Sequence, residues 1–227
     1  MAVTLYDLAG AGDERFSPYC WRARMALAHK GIDVATSPVN FVDIPTVAGG
    51  EFQSLPVIDD NGTRLSDSFA IAEYLEKTFY DAPTLFGSQE GVDYARFIQA
   101  WANSVLNSSI VRMVIVDVHD MLTPEDQNYF RNSREKRFGK TLEQVQEGRE
   151  AQREDFRASL TPVRLILASQ PYLGGDEPKY MDYILFGTLQ WANIASPFKL
   201  LEDTDPINDW FERCLDLHGA IGRAAQT

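Results

Sequence analysis

Hydrophobic periodicity changes character once along this chain, near residue 80, and that change limits the fold more than any other feature. Ahead of it, runs with strand spacing alternate with helical ones. Behind it, helical spacing continues almost without a break. Val3–Leu8 (VTLYDL) alternates as a strand and ends at Gly10, Gly12 and Asp13. Pro18 opens a helix well because its missing N–H is no loss in the first turn, and Ser17 before it is a natural cap. Trp21, Met25 and Leu27–Ala28 give that helix an apolar face, and Gly31 stops it. Val34–Val39 reads as a second strand, returning parallel to the first. Leu55–Asp59 and Thr63–Leu65 flank Asp60-Asn61-Gly62, a hairpin signal, and Asp67–Phe79 follows as an amphipathic helix. The order is β-α-β, a loop, then β-β-α.

Asp81–Gly91 (DAPTLFGSQEG) reads as a linker. Beyond it, Val92–Leu122 carries one long helical pattern through Phe97, Trp101, Val105, Ile110 and Val114. A second helix starts near Pro124, and Leu142–Ser169 supports another that Pro162 interrupts. Tyr180–Ser196 is almost free of charge after Asp182, which predicts a helix buried on most sides, and Asp205–Leu217 closes the series. The expected fold is α/β plus all-α: a mixed domain over residues 1–80, a linker over 81–91 and a helical domain over 92–227.

Composition narrows the function. A net charge of −12 argues against general nucleic-acid binding, and the basic cluster Arg131, Arg134, Lys136, Arg137 and Lys140 reads as a solvated helix face. No apolar run approaches the roughly 18 residues that span a bilayer. The stretch MAVTLYDL has no basic region followed by an apolar one, so no signal peptide is expected. Two cysteines, Cys20 and Cys214, cannot make a disulfide framework and favour a reducing cytoplasm. Neither an HExxH, a CxxC pair nor a GxxxxGK[ST] occurs, so no metal is expected. His29, His119 and His218 are dispersed and read as structural or exposed.

Three stretches of the first domain carry chemistry. Ser17 lies where a strand turns into a helix, and the free N–H donors and dipole of that helix end stabilise an anion. A cysteine there would be activated; a serine would instead donate a hydrogen bond to a thiolate supplied from outside, or act only as a cap. Leu55-Pro56, at the start of a strand, suits a cis peptide that offers the Leu55 backbone to an extended peptide; a trans proline at a sheet edge is the alternative. Ser66-Asp67-Ser68 opens a helix and could hold an amino-acid head group, or again only cap.

In order and spacing these stretches resemble the cytosolic glutathione S-transferase family. The likeness runs through "FSPYCWRARMALAHKGI", "SLPVI", "LSDSFAIAEYLEKTF" and "PYLGGDEPKYMDYILFG". It implies a thioredoxin-like N-terminal domain, a helical C-terminal domain, a homodimer, and glutathione as co-substrate. It further implies that Ser17 activates the glutathione sulfur and Leu55, ahead of cis-Pro56, pairs with the cysteinyl backbone. Asp67 and Ser68 would hold the γ-glutamyl end, with Asp67 standing where the family more often has Glu. Gln53 is the candidate for the glycyl carboxylate, since residues 41–50 contain no Lys or Arg. Lys179 departs from a capping box with Asp182, leaving that helix without the reciprocal half of its cap. "FSPYCWR" is most similar to serine-type bacterial transferases, β-aryl-etherases among them, and their fungal relatives.

The expected reaction is attack of glutathione thiolate on an apolar, aromatic electrophile held against Tyr19, Trp101, Val105 and Arg112, where Arg112 could meet a substrate anion or a departing phenoxide. One rival makes Cys20 the nucleophile of thiol–disulfide exchange. Another is a carrier of the same fold that binds apolar ligands without turnover.

Overall fold

The computed structural model describes residues 3–50 and 52–224, so the extreme ends of the two expected domains lie outside the described residues. Four strands, β1 (Val3–Leu8), β2 (Val34–Val39), β3 (Val57–Asp60) and β4 (Thr63–Ser66), form one mixed sheet in the order β2–β1–β3–β4. β1 pairs parallel with β2, Val3 opposite Val34, and antiparallel with β3, Leu5 opposite Ile58. The parallel pair needs a crossover, which α1 (Pro18–His29) supplies. The β3–β4 hairpin turns on Asn61 and Gly62, whose φ values of 51° and 93° match the turn chemistry of the sequence. Pro38 sits on β2, the edge strand, where a missing N–H disrupts no ladder. Helix α2 (Ser68–Thr78) completes the unit.

The rest is helical: α3 (Gln89–Trp101), α4 (Asn107–Asp120), α5 (Pro124–Phe138), α6 (Leu142–Gln146), α7 (Arg149–Ser159), α8 (Thr161–Leu167), α9 (Tyr180–Ala195) and α10 (Pro206–Leu215). Two expected single helices are divided. The Val92–Leu122 pattern is interrupted by a wider π turn at Ala102–Leu106. Leu142–Ser169 breaks at Gly148, whose φ of 72° is left-handed, and again at Leu160, ahead of Pro162 in the first turn of α8.

Helix α9 forms the centre of the molecule, with Tyr180 through Gln190 all buried. Its one early charge is satisfied: the Asp182 carboxylate accepts N–H bonds from Leu173 (2.7 Å), Gly174 (2.9 Å), Lys179 (3.0 Å) and Trp210 (2.9 Å). Lysine has no side-chain acceptor, so the reciprocal half of the cap is missing, as the sequence indicates; loop N–H groups and an indole occupy the carboxylate instead. Gly187 lets α9 lie against α1, because a Cβ there would come 2.4 Å from the Pro18 carbonyl oxygen. Phe186 meets Trp21 edge-on at 5.7 Å. The linker is pinned as well, Leu85 donating its N–H to Glu76 (2.9 Å) and accepting that of Tyr180 (2.8 Å).

Candidate active site in the cleft between sheet and helices

The turn from β1 into α1 is built to present one hydroxyl. Ser17 is extended, caps α1, and its Oγ accepts the Cys20 N–H at 3.3 Å. An acceptor role leaves the hydroxyl proton free to be donated elsewhere. The turn is braced from below by buried Asp7, which pairs with Arg24 at 2.8 Å and Arg15 at 3.6 Å, and by the Trp21 indole N–H on the Arg15 carbonyl at 2.6 Å. Neither Asp7 nor its arginines stood out in the sequence, because nothing marks them as partners across the turn.

Cys20 faces inward and is 1% exposed. Burial, reinforced by Asp7, pushes its thiol well above the ordinary cysteine range. A buried, protonated thiol is a poor nucleophile, so the geometry disfavours the disulfide-exchange rival. Arg22, one turn into α1, is fully buried without a carboxylate partner among the described residues; its Nη2 bonds Asn103 at 3.0 Å, and its guanidinium stacks 4.7 Å from the Tyr19 ring centre. Together the open helix end, the hydroxyl proton and this buried cation make the locality favourable to an anion.

The opposite wall comes from the hairpin. The Leu55–Pro56 bond is cis, and the Leu55 backbone has no partner among the described residues, so an extended peptide can pair there. Strand register sets Val57 across from Ser66, which brings the start of α2 alongside. Asp67 adopts φ 72° and ψ 121°, an uncommon backbone for a non-glycine residue. Its Oδ1 accepts the N–H groups of Phe69 (2.9 Å) and Ala70 (3.0 Å), capping α2 and leaving its other oxygen with no partner among the described residues. Ser68 is buried beside it, its carbonyl accepting the Tyr180 hydroxyl at 2.6 Å.

A cleft of about 670 Å³ joins these parts, and Ser17, Tyr19, Gln53, Leu55 and Arg112 all line it. Pro56, Asp67 and Ser68 are not among its lining residues. Trp101 and Val105 are also outside it; Asn103, Asn107 and Val111 line it instead. The reason is the π turn at Ala102–Leu106, which adds one residue to the helix and puts 101 and 105 out of phase with 112. The remaining wall was missed in the sequence: Phe41 and Ile44, from a 3-10 segment at Phe41–Gly49, face Phe130, Arg134, Arg137 and Phe138 of α5. The buried Asp126 of α5 holds that segment, accepting the N–H groups of Phe41 (2.8 Å) and Val42 (2.9 Å). The cluster expected to be a solvated helix face therefore gives two of its arginines, half-buried Arg134 and exposed Arg137, to the cleft lining. Among the described residues no group of His, Cys, Asp and Glu could hold a metal ion, and no helix is long and apolar enough to cross a membrane.

Comparison with known proteins agrees with this architecture. The glutathione S-transferase N-terminal domain profile matches residues 16–78 and the C-terminal domain profile residues 94–216. A glutathione S-transferase of Ceriporiopsis subvermispora, CsGST63524, solved in complex with glutathione, superposes with a TM-score of 0.80 at 25% identity, over 100% of this chain and 98% of that one. Glutathione transferase GSTFuA3 from Phanerochaete chrysosporium gives 0.78 at 26%, over 100% and 95%. The glutathione S-transferase-like protein ustS of Aspergillus flavus is 27% identical across 202 residues, 76% of this chain and 72% of that protein. By its two consecutive domain profiles and its full-length structural likeness, the chain belongs to the glutathione S-transferase family.

Proposed function

We propose that this chain is a serine-type glutathione transferase that joins the glutathione sulfur to an electrophilic carbon of an aromatic substrate. The observation that carries the reading is Ser17 on the cleft wall, its Oγ accepting the Cys20 N–H and its proton left to donate. Bound glutathione supplies the sulfur nucleophile. Ser17 donates to that sulfur and, with the N-terminus of α1, lowers its pKa from a free-thiol value of about 8.5. Leu55, ahead of cis-Pro56, pairs with the cysteinyl backbone; Asp67 and Ser68 hold the γ-glutamyl end, and Gln53 meets the glycyl carboxylate. The electrophile lies over Tyr19 and the aromatic wall, with Arg112 at its edge. Residues 1–80 supply the glutathione half and residues 92–227 the electrophile half, in a cytoplasmic homodimer.

A panel of aryl halides, β-aryl ethers and peroxides, read by glutathione consumption, tests the reaction class. Ser17→Ala should lower turnover of the best substrate by at least about tenfold, the low end for losing a positioned donor. Unchanged turnover removes Ser17 from the mechanism. Tight glutathione binding without consumption of any panel member would favour the carrier reading.

A further inference from the structure

The cleft has a charge of its own. The chain carries a net charge of −12, yet no Asp or Glu lines the cleft, whereas Arg112, Arg134 and Arg137 do. Most arginines of this molecule have a carboxylate at ion-pair distance; on the same helix, Arg131 is held by Glu135 (3.0 Å) and Glu143 (2.9 Å). The three cleft arginines have none among the described residues. They rest on aromatic rings instead. Arg112 and Arg137 flank the Phe138 ring at 5.4 and 5.8 Å from its centre, and Arg134 lies over Phe130 at 4.7 Å and Phe41 at 5.7 Å. Arg134 is half-buried, and both burial and the nearby Arg137 pull its guanidinium down from the ordinary arginine value. Arg112 and Arg137 are exposed, whereas Arg134 gives up part of its hydration with no carboxylate at ion-pair distance, a cost that an oxyanion in the cleft would offset.

We propose that Arg112, Arg134 and Arg137 form a cation subsite for an anionic group, a carboxylate, sulfonate or phenolate, carried by the aromatic electrophile. Guanidinium groups match such oxyanions through paired N–H donors, and Tyr19 and Ile44 line the same cleft for the substrate ring. The inference rests on the conjugation reaction proposed above and names its substrate class. The other source of a carboxylate is the glycyl end of glutathione, since Gln53 and Ser54 line the same cleft.

A matched pair of substrates separates the possibilities: 4-chloro-3,5-dinitrobenzoate, which bears a carboxylate, and neutral 1-chloro-2,4-dinitrobenzene. In both, the thiolate sulfur bonds to the ring carbon bearing chlorine, chloride leaves with the C–Cl electron pair, and the thiol proton goes to solvent. Relative to the uncatalysed rates, kcat/KM should favour the benzoate at low ionic strength, and this preference should shrink in 0.5 M salt, where charges are screened. Arg137→Gln, at an exposed position, should reduce the benzoate-to-neutral ratio, and Arg134→Gln with Arg137→Gln should reduce it by about tenfold or more. A ratio indifferent to salt and to both variants overturns the subsite. A rise in the glutathione KM that is equal with both electrophiles also overturns it, assigning the arginines to the co-substrate. Fluorescence titration without glutathione reads the subsite independently of turnover, comparing 8-anilinonaphthalene-1-sulfonate with neutral N-phenyl-1-naphthylamine. Sulfonate-selective weakening in Arg137→Gln supports the subsite even if neither halide reacts, in which case the conjugation reading alone fails. Equal weakening of both dyes, or none, counts against the subsite.

Discussion

Ser17 and Cys20 divide between them what one cysteine would do alone. Position 17, itself 5% exposed, lines the cleft at the open helix end; position 20 has the sulfur, is 1% exposed and lies outside the cleft lining. Ser17→Cys should therefore create the low-pKa thiol that Cys20 is not, because the helix N-terminus favours the thiolate. Iodoacetamide at pH 6.5, followed by intact-mass spectrometry, should label position 17 alone in that variant and leave the buried wild-type cysteines unmodified. Rapid labelling of wild-type Cys20 would contradict its burial. That Ser17 caps a helix is readable from the Ser-Pro pair itself, since proline tolerates the first turn and serine the cap. The Asp67 backbone is not readable that way: a positive φ in an aspartate leaves no mark in composition or periodicity, and only the hairpin and α2 around it impose it.

At the level of elements, the site depends on contacts distant in sequence. Asp126 carries the 3-10 segment on α5 through two N–H bonds. In Asp126→Asn one acceptor becomes an NH2 facing a backbone N–H, so the variant should lose about 3 kcal/mol, from roughly 1.5–3 per charge-assisted bond. For a chain of this size that is a melting midpoint lower by roughly 6–12 °C, measurable by calorimetry; a shift under about 2 °C would show that the clamp is dispensable. Such a clamp cannot be found from one sequence, because Asp126 in the first turn of a helix looks like any residue that complements the dipole. Helix and strand types, by contrast, follow local spacing, and most elements are legible. Besides the 3-10 segment at Phe41–Gly49, which reads as loop, the exceptions are the π turn at Ala102–Leu106 and the Gly148 break. The last two change phase by a residue or a turn without interrupting the apolar pattern, and the π turn misplaced Trp101 and Val105.

Across the whole molecule, a polar chain ties α1, the linker and the C-terminal turn to the buried helix α9. His29 donates through Nε2 to the Thr84 carbonyl (3.1 Å), its Nδ1 accepts the Tyr183 hydroxyl (2.6 Å), and that oxygen accepts from Nε2 of His218 (2.9 Å). Thr84 offers only a carbonyl, which fixes the tautomer of a neutral His29. Burial, then the nearness of His218 and Lys179, holds the His29 imidazole down to about 4. The unfolded chain binds this proton near pH 6.5 and the folded chain only near 4. The contribution to stability is thus complete above about pH 6.5 and declines as pH falls towards 4. Allowing for solvent screening of a partly exposed ring, the loss should be roughly 1–2 kcal/mol. Denaturant midpoints at pH 7.5 and 5 should differ accordingly in the wild type and less in His29→Gln; equal slopes would remove His29 as the cause. The histidines are dispersed in sequence and converge only in the fold, which is why they read singly as structural.

The division of labour between the halves sets what must be measured. If the sheet half ionises a sulfur that arrives with glutathione, the account stands whatever the electrophile proves to be. Thiolate absorbance near 240 nm, titrated against pH for glutathione bound to the wild type and to Ser17→Ala, reads that ionisation directly. The account predicts a bound-thiol pKa below the free value of about 8.5 in the wild type, raised by about one unit or more in Ser17→Ala. The same depressed pKa in both proteins, or an undepressed one in the wild type, would contradict it.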